Sequence, residues 1–185
     1  DLSTISSGLK PGDLTRISGD GLTIVRATRE SATYSAGIAV LTWNSVSNSW
    51  GHNGTVFSLA SGFSGATVRN LDITRDGSKF ITAQYNSTTN QKAVIYDTTQ
   101  GTPLIAIDLN GTTHNFNGWM ATNLFNNIHG KNAQMALSGD GSRCVIGGAT
   151  NTSHNTSGGR FFVYDLDYTN NTYSEVLNLT GSLVG

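Results

Sequence analysis

The stretch Leu137-Ser-Gly-Asp-Gly-Ser-Arg-Cys-Val-Ile-Gly-Gly148 consists of a short apolar lead, a polar turn that ends in Asp-Gly, and a run of residues typical of β-strands. The chain repeats this pattern at Ile17–Val25 and Ile73–Ile81. Asp-Gly between two extended segments predicts a β-hairpin, because a tight primed turn needs a positive φ that glycine adopts freely. The turn-forming residues predicted in this way are Asp20, Gly21, Asp76, Gly77, Asp140 and Gly141.

The three copies recur at similar intervals. The aspartates of their turns, Asp20, Asp76 and Asp140, are 56 and 64 residues apart, a spacing typical of repeat architectures. Each turn is followed by a β-rich segment, a polar loop and two further β-rich segments. Each repeat therefore predicts four antiparallel strands, the size of one β-propeller blade. In the first repeat we expect the fourth strand at Thr55–Leu59, after a loop over Asn44–Asn53.

The predicted fold class is all-β, with a β-propeller-like array of three four-stranded antiparallel blades in a single repeat domain. A β-sandwich or a β-solenoid is the alternative, but a sandwich would not require the same four-strand pattern three times. Apolar residues between Trp119 and Ile128 have nearly helical spacing, which predicts a short helix or an ordered loop. The predicted parts are an N-terminal arm over 1–13, blade 1 over 14–66, blade 2 over 67–111, an insertion over 112–132 and blade 3 over 133–185.

Three blades are too few to close a ring, since propellers typically have about 4–8 blades. We therefore expect one of three arrangements. The sequence is an excerpt of a longer repeat protein, or subunits associate so that two chains give six blades, or the blades form an open stack. An open stack leaves unpaired strand edges, which favour pairing with a neighbour.

Charge and hydropathy exclude several classes of partner. Charged residues make up only 12% of the chain and the net charge is −1, so there is no electrostatic basis for binding nucleic acid or an anionic membrane. No apolar run approaches the roughly 18–20 residues of a membrane span. The single cysteine, Cys144, rules out an internal disulfide and is expected to be a buried strand residue.

The repeats resemble those of FG-GAP-like and YVTN-like β-propeller proteins. The resemblance rests on Leu137–Gly148 with Gly159–Asp165, and more loosely on Ile17–Ala27 with Gly37–Trp43. It implies a propeller fold. Similar Ser-x-Asp-Gly repeats occur in large surface proteins of bacteria and of giant viruses of algae, so the resemblance also implies an extracellular, virion-surface or cell-surface location.

Calcium-binding members of this group carry several alternating Asp residues in one loop, whereas each turn here has one carboxylate. A calcium ion needs about six or more oxygen ligands, so we interpret the turn aspartates as turn formers that bond nearby backbone N–H groups. Asp165, Asp167 and Asn170 form the best remaining oxygen cluster, but the Gly and terminal Glu of a calcium loop are missing there.

Residues for catalysis or metal binding are not evident in the sequence. The histidines lie in predicted polar loops without metal-ligand spacing, and no nucleophile elbow, His-Glu-x-x-His motif or phosphate loop occurs. Because only Glu30 and Glu175 are glutamates, a paired-carboxylate site would need Asp residues from equivalent turns. We therefore predict no catalytic residue, no metal, no cofactor and no enzymatic activity. The histidines are His52, His114, His129 and His154.

Two features bear on carbohydrate. Trp50, His52 and Trp119 are candidates for glycan binding, because tryptophan stacks on sugar rings and nearby polar groups bond their hydroxyls. The alternative interpretation is a structural one, in which Trp43 and Trp119 pack between blades. Trp50 is then the better exposed candidate. Sites for N-glycosylation, given by Asn-x-Ser/Thr in predicted loops or strand ends, are Asn53, Asn86, Asn110, Asn151, Asn155 and Asn170; Asn178 falls inside a predicted strand.

The sequence thus predicts a surface-exposed structural or adhesive repeat module of a virion, an appendage or a cell-surface layer. Its expected partners are further copies of itself or neighbouring structural subunits, with neither nucleic acid nor membrane insertion. The alternative is a glycan-binding propeller lectin, whose partner is a carbohydrate.

Overall fold

A computed structural model describes residues 14–27, 37–61, 67–87, 90–109, 134–149 and 158–182. These residues form twelve strands in three four-stranded antiparallel sheets, and each sheet follows chain order from its first strand to its fourth. Blade 1 contains β1 (Leu14–Ile17), β2 (Thr23–Ala27), β3 (Ile38–Asn44) and β4 (Ser49–His52). Blade 2 contains β5 (Thr67–Ile73), β6 (Lys79–Ser87), β7 (Asn90–Asp97) and β8 (Pro103–Asp108). Blade 3 contains β9 (Gln134–Leu137), β10 (Arg143–Ala149), β11 (Gly158–Asp167) and β12 (Thr172–Ser182).

This architecture confirms the predicted all-β, propeller-like array of three blades. The predicted N-terminal arm and the insertion, with its short helix or ordered loop, lie outside the described residues. Within the described ranges, no helix is long and apolar enough to cross a membrane.

The blades pack face to face, with blade 2 in the middle. Successive side chains of a strand point to opposite faces, so β6 directs Phe80 toward blade 1 and Ile81 toward blade 3. One buried cluster joins blades 1 and 2 through residues such as Val25, Val40 and Phe80. A second cluster joins blades 2 and 3, and it contains Ile81 and the buried Cys144. Because both of its faces are covered, blade 2 buries an unbroken apolar run in β7, Ala93–Tyr96.

The first strands of the three blades lie side by side, β1 against β5 and β5 against β9. Asp72 in β5 accepts a hydrogen bond of 2.7 Å at Oδ2 from the backbone N–H of Leu137 in β9. The loops that follow these strands, which connect first to second strands, therefore gather at one end of the molecule.

The fourth strand of blade 1 differs from the prediction. It is Ser49–His52, within the predicted loop, and the predicted strand Thr55–Leu59 has no strand structure. A turn at Asn44 explains the early strand, because Asn44 Oδ1 accepts hydrogen bonds from the backbone N–H groups of Val46 and Ser47.

The segment predicted as that strand is bonded to blade 2 instead. The N–H of Ser58 donates to the carbonyl of Gly101 at 2.7 Å, and the N–H of Ala60 donates to Gln84 Oε1 at 2.9 Å. Phe57 packs edge-on against Phe80 and Tyr96, with ring centroids 5.2 and 5.8 Å apart. The segment therefore joins blade 1 to blade 2 as a packed connection.

Candidate functional site

The three Asp-Gly turns have the same backbone geometry. In each turn the glycine N–H donates to the carbonyl of the residue three positions earlier, as Gly141 does to Ser138 at 2.8 Å. A second bond closes each loop, for example from Ser138 N–H to the carbonyl of Arg143 at 2.9 Å. The glycines have positive φ: 75° at Gly21, 69° at Gly77 and 76° at Gly141.

The expected two-residue primed turn is not formed. A primed turn of type I′ needs positive φ at both central residues, whereas within these loops only the glycine has it. The aspartate carboxylate instead bonds inside a wider loop, and this stabilises the five-residue connection between the strands.

Each aspartate binds groups of its own turn. Asp140 Oδ1 accepts hydrogen bonds from Ser138 Oγ at 2.7 Å, from Ser142 N–H at 3.0 Å and from Ser142 Oγ at 2.9 Å. Asp76 Oδ1 accepts the same kinds of bond from Thr74 Oγ1 and Ser78. The Ser138 hydroxyl, followed by the Ser142 N–H, lowers the pKa of Asp140 from 3.8 to about 2. These bonds stabilise the ionised carboxylate.

The turns meet in one open depression of about 570 Å³. Neighbouring turns are joined by backbone hydrogen bonds of 2.9 Å, from Asp20 N–H to the carbonyl of Arg75 and from Arg75 N–H to the carbonyl of Gly139. The depression therefore brings together all three turn carboxylates, and the Arg75 side chain lies among them. Its lining residues are Asp20, Arg75, Asp76, Gly139 and Asp140.

Arg75 and Gly139 were not predicted from the sequence to belong to this site. The sequence feature that points to them is the residue before each turn aspartate. This residue is glycine in two turns, Gly19 and Gly139, and it is Arg75 in the third. A Cβ on Gly19 would lie 2.7 Å from Arg75 Cγ. The glycine at position 19 therefore makes room for the arginine of the next turn.

The depression is lined by ionised carboxylates and by one arginine. The pKa values of Asp20 and Asp76 are also lowered, for Asp20 chiefly by the Ser18 hydroxyl and for Asp76 chiefly by the Ser78 N–H. A carboxylate with a lowered pKa is a weak proton donor at neutral pH. Among the described residues, no group of three or more His, Cys, Asp or Glu side chains is arranged to hold a metal ion.

The second oxygen cluster is also engaged in local bonds. Asp167 accepts hydrogen bonds from the N–H groups of Thr169 and Asn170 and from Asn170 Nδ2. Asp165 forms an ion pair of 2.5 Å with Arg143 on the neighbouring strand. These carboxylates therefore stabilise a turn and a strand pair.

Two of the glycan-binding candidates lie together on β4. Trp50 has 37% of its surface exposed and packs edge-on against Trp43, with ring centroids 5.6 Å apart. His52 is exposed two residues further along β4, and its Nδ1 accepts a hydrogen bond from Gly54 N–H at 3.1 Å. The register places Trp43 on the face of blade 1 that points away from blade 2. Trp43 is thus not packed between the described blades, contrary to expectation. Trp119 lies outside the described residues.

The predicted glycosylation sites differ in their surroundings. Asn53 Nδ2 donates a hydrogen bond of 2.6 Å to the carbonyl of Thr98 in blade 2, so a glycan on this nitrogen would have to replace a contact between blades. Asn170 is exposed in the turn before β12, and Asn86 lies in β6. Outside the described residues are Asn110, Asn151 and Asn155, together with His114, His129 and His154.

Comparison with solved structures shows the propeller fold. No protein-family model matches the sequence, and no curated protein matches it. A hypothetical selenium-binding protein from Sulfolobus tokodaii matches with a TM-score of 0.59 and 12% identity, over 97% of this chain and 43% of that one. The β-propeller domain of the trilobed protease from Pyrococcus furiosus matches with a TM-score of 0.51 and 11% identity, over 89% of this chain and 43% of that one. The chain thus spans less than half the length of either structure.

The expectation that the chain is not an enzyme is wrong as an inference from its sequence. The solved structures that it matches include a putative 6-phosphogluconolactonase from Bacteroides uniformis, with a TM-score of 0.49 and 14% identity, over 90% of this chain and 40% of that one. The depression also brings together aspartates from equivalent turns, from which a paired-carboxylate site would have to be built.

Proposed function

We propose that the chain is a structural or adhesive repeat module displayed on an external surface, such as a virion, an appendage or a cell-surface layer. It acts there through contacts with further copies of itself or with neighbouring structural subunits. The external location is inferred from the resemblance of the repeats to FG-GAP-like and YVTN-like repeats. Beyond the propeller fold, this resemblance stays a prediction.

One observation supports assembly as the mode of action: large apolar side chains are exposed at the two ends of the blade array. Ile17 of blade 1 is 55% exposed, and Leu177 and Leu179 of blade 3 are 40% and 54% exposed. Exposed apolar side chains on unpaired sheet faces favour association with another protein surface. Such a module gains stability when neighbours cover its ends.

Immunolabelling tests the external location. Antibodies against the 185-residue chain should label intact particles or cells of the source as strongly as permeabilised ones. An antibody against an interior protein, which should label only permeabilised samples, serves as the control. Labelling by both antibodies only after permeabilisation would contradict the proposal.

The second candidate function is glycan binding, and the exposed Trp50 beside His52 favours it. Replacing Trp50 with alanine should abolish binding to any glycan that the wild-type chain retains on an array. Tyr173 provides a matched control, because it is also 37% exposed and packs edge-on against an aromatic neighbour at 5.6 Å. Equal loss in Tyr173→Ala and Trp50→Ala, or no binding by the wild type, would exclude this site.

A further inference from the structure

Trp50 and His52 point to the same side of β4. They are two residues apart in the strand, and successive side chains of a strand alternate between its faces. Register pairs Trp50 with Trp43 and His52 with Leu41, so all four lie on the face of blade 1 that points away from blade 2. Leu41 is buried at 5% exposure, whereas Trp50 is 37% exposed and His52 is also exposed. A ligand on this face would therefore meet the Trp50 ring and the His52 imidazole together.

The repeats place another aromatic residue at the position of Trp50. When positions are counted from the turn aspartates and followed through the strand register, Tyr173 of blade 3 is equivalent to Trp50, and Glu175 is equivalent to His52. Trp50 and Tyr173 are both 37% exposed, and each packs edge-on against an aromatic neighbour at 5.6 Å. An aromatic ring at this position is thus common to blades 1 and 3. The polar neighbour distinguishes the two positions, and in blade 1 it is His52.

A backbone hydrogen bond fixes the position of the proton on the His52 ring. Gly54 N–H donates to His52 Nδ1 at 3.1 Å, and a ring nitrogen that accepts this bond carries no proton of its own. In the neutral imidazole the proton is then on Nε2, which becomes a donor. His52 therefore presents one N–H donor to a ligand, whereas the carboxylate of Glu175 has only acceptors.

The segment that carries His52 is held in place by hydrogen bonds on both sides. Before β4, the side chain of Asn44 bonds the turn that leads into the strand. After β4, Asn53 Nδ2 donates to the carbonyl of Thr98 of blade 2 at 2.6 Å, and Asn53 Oδ1 accepts a bond from Thr55 N–H at 3.0 Å. A surface that is already fixed in this way loses little conformational entropy when a ligand binds.

The surface around Trp50 lacks ionised side chains. The sequence has no Asp, Glu, Lys or Arg between Glu30 and Arg69, a stretch that includes all of β3 and β4. Among the described strand residues of this face, the ionised side chain is that of Arg26, which is buried at 8% exposure. A carboxylate or sulfate that loses its water without a counter-charge does so at a large cost in free energy. Strong recognition of such anions uses arginine or lysine, so this surface suits a ligand without charge.

We propose that Trp50 and His52 bind a neutral glycan. The C–H face of one sugar ring stacks on Trp50, and an oxygen atom of the glycan accepts a hydrogen bond from His52 Nε2–H. His52 determines specificity, because it supplies a donor without adding an exposed charge, and carboxylated or sulfated glycans are therefore bound poorly. This inference rests on glycan binding, the second candidate function, and adds to it the class of glycan and the role of His52.

A glycan array with matched pairs tests the class of ligand. The array carries oligosaccharides that end in glucose, galactose or mannose, each printed beside a counterpart that bears a sialic acid or a sulfate. The wild-type 185-residue chain should be retained by neutral members of the array. It should bind their charged counterparts at least about tenfold more weakly, because no exposed cation on this face compensates the added charge.

Substitutions at His52 test its role as a donor. The neutral glycan that gives the strongest array signal is titrated in soluble form by calorimetry. His52→Phe keeps a planar ring without a donor and should raise the dissociation constant about three- to tenfold, the loss expected for one neutral hydrogen bond. His52→Gln keeps an N–H donor and should lose less affinity than His52→Phe. Glu175→Gln, at the equivalent position of blade 3, is the matched control and should bind as the wild type does.

The outcomes separate this inference from glycan binding in general. A wild-type chain that binds no glycan would contradict both. Equal or stronger binding of the charged counterparts would overturn the neutral class, while glycan binding that depends on Trp50 would stand. Unchanged affinity in His52→Phe, or equal losses in His52→Phe and His52→Gln, would overturn the role of His52. Circular dichroism of each variant should retain the wild-type β signal, which separates lost binding from lost folding.

Discussion

At the scale of single residues, the turns combine a glycine with positive φ and an aspartate that binds the loop around it. The glycine is required by the backbone, since a left-handed conformation costs a residue with a Cβ about 1–2 kcal/mol. Gly21 and Gly77 have nearly the same φ, 75° and 69°, but only Gly77 packs against another blade. Substitutions at these two glycines therefore distinguish the free-energy cost of a positive φ from the cost of a steric clash between blades.

We expect Gly21→Ala to lower the free energy of unfolding by about 1–2 kcal/mol through its backbone alone. Gly77→Ala should cost about 1–3 kcal/mol more, because its Cβ would press against Thr23 of blade 1. Urea unfolding of both variants measures the difference. Equal destabilisation by the two substitutions would mean that blade 1 can move away from Gly77 without loss of stability.

The turn carboxylates make stability depend on pH at the acid end. The pKa of Asp140 is about 2 in the folded chain against an ordinary value of 3.8, so the unfolded chain binds its proton more readily. The stabilisation is therefore complete above about pH 4 and is lost as the pH falls toward 2. Asp20 and Asp76 are shifted in the same direction.

Asp140→Asn should reduce this pH dependence, because an asparagine oxygen accepts the same hydrogen bonds but does not titrate. Unfolding midpoints in urea, measured from pH 7 to pH 2.5, should fall less steeply for the variant than for the wild type. Parallel curves would show that Asp140 does not contribute.

At the scale of elements, the connection Thr55–Ala60 illustrates how tertiary contacts override a strand pattern. Its alternating residues predict a strand, yet its hydrogen bonds go to Gly101 and Gln84 of blade 2. The outer strand of blade 1 is supplied by Ser49–His52, which the turn at Asn44 brings back beside β3. The local sequence pattern correctly predicted extended backbone in this segment, but it did not predict that the segment would bond to blade 2.

A substitution at Gly101 tests this connection. A Cβ there would collide with the carbonyl oxygen of Val56, so Gly101→Ala should displace the connection and cost about 1–3 kcal/mol. Gly51→Ala is the control, because a Cβ on Gly51 in β4 meets nothing within 4 Å. Thermal unfolding should leave Gly51→Ala within about 0.5 kcal/mol of the wild type. A smaller loss in Gly101→Ala than in Gly51→Ala would contradict the packing described here.

At the scale of the whole molecule, burial is most complete in blade 2. Its central strands are buried on both faces, as at Phe80, Ile81, Val94 and Ile95, which are all fully buried. Blades 1 and 3 each have one face in an interface and the other at an end of the array. Regions with fewer buried contacts open more readily.

Hydrogen exchange should therefore be slowest in blade 2. We expect the amides of β6 and β7 to exchange at least about tenfold more slowly than those of β2, β3, β10 and β11. Mass spectrometry of peptic peptides measures this order. Uniform exchange across the three blades would indicate that the array unfolds as one unit.

The sequence by itself determined the repeat, the three turns and the four-stranded unit, because Asp-Gly turns and alternating apolar residues are local signals. It did not determine that the turn aspartates would meet around Arg75, or that Asn53 would bond to Thr98 of the next blade. Nor did it reveal that Ile17 and Ile73, at equivalent positions, would differ so much in exposure. Those outcomes depend on which blade lies beside which, and residues far apart in the chain become neighbours only when the sheets pack.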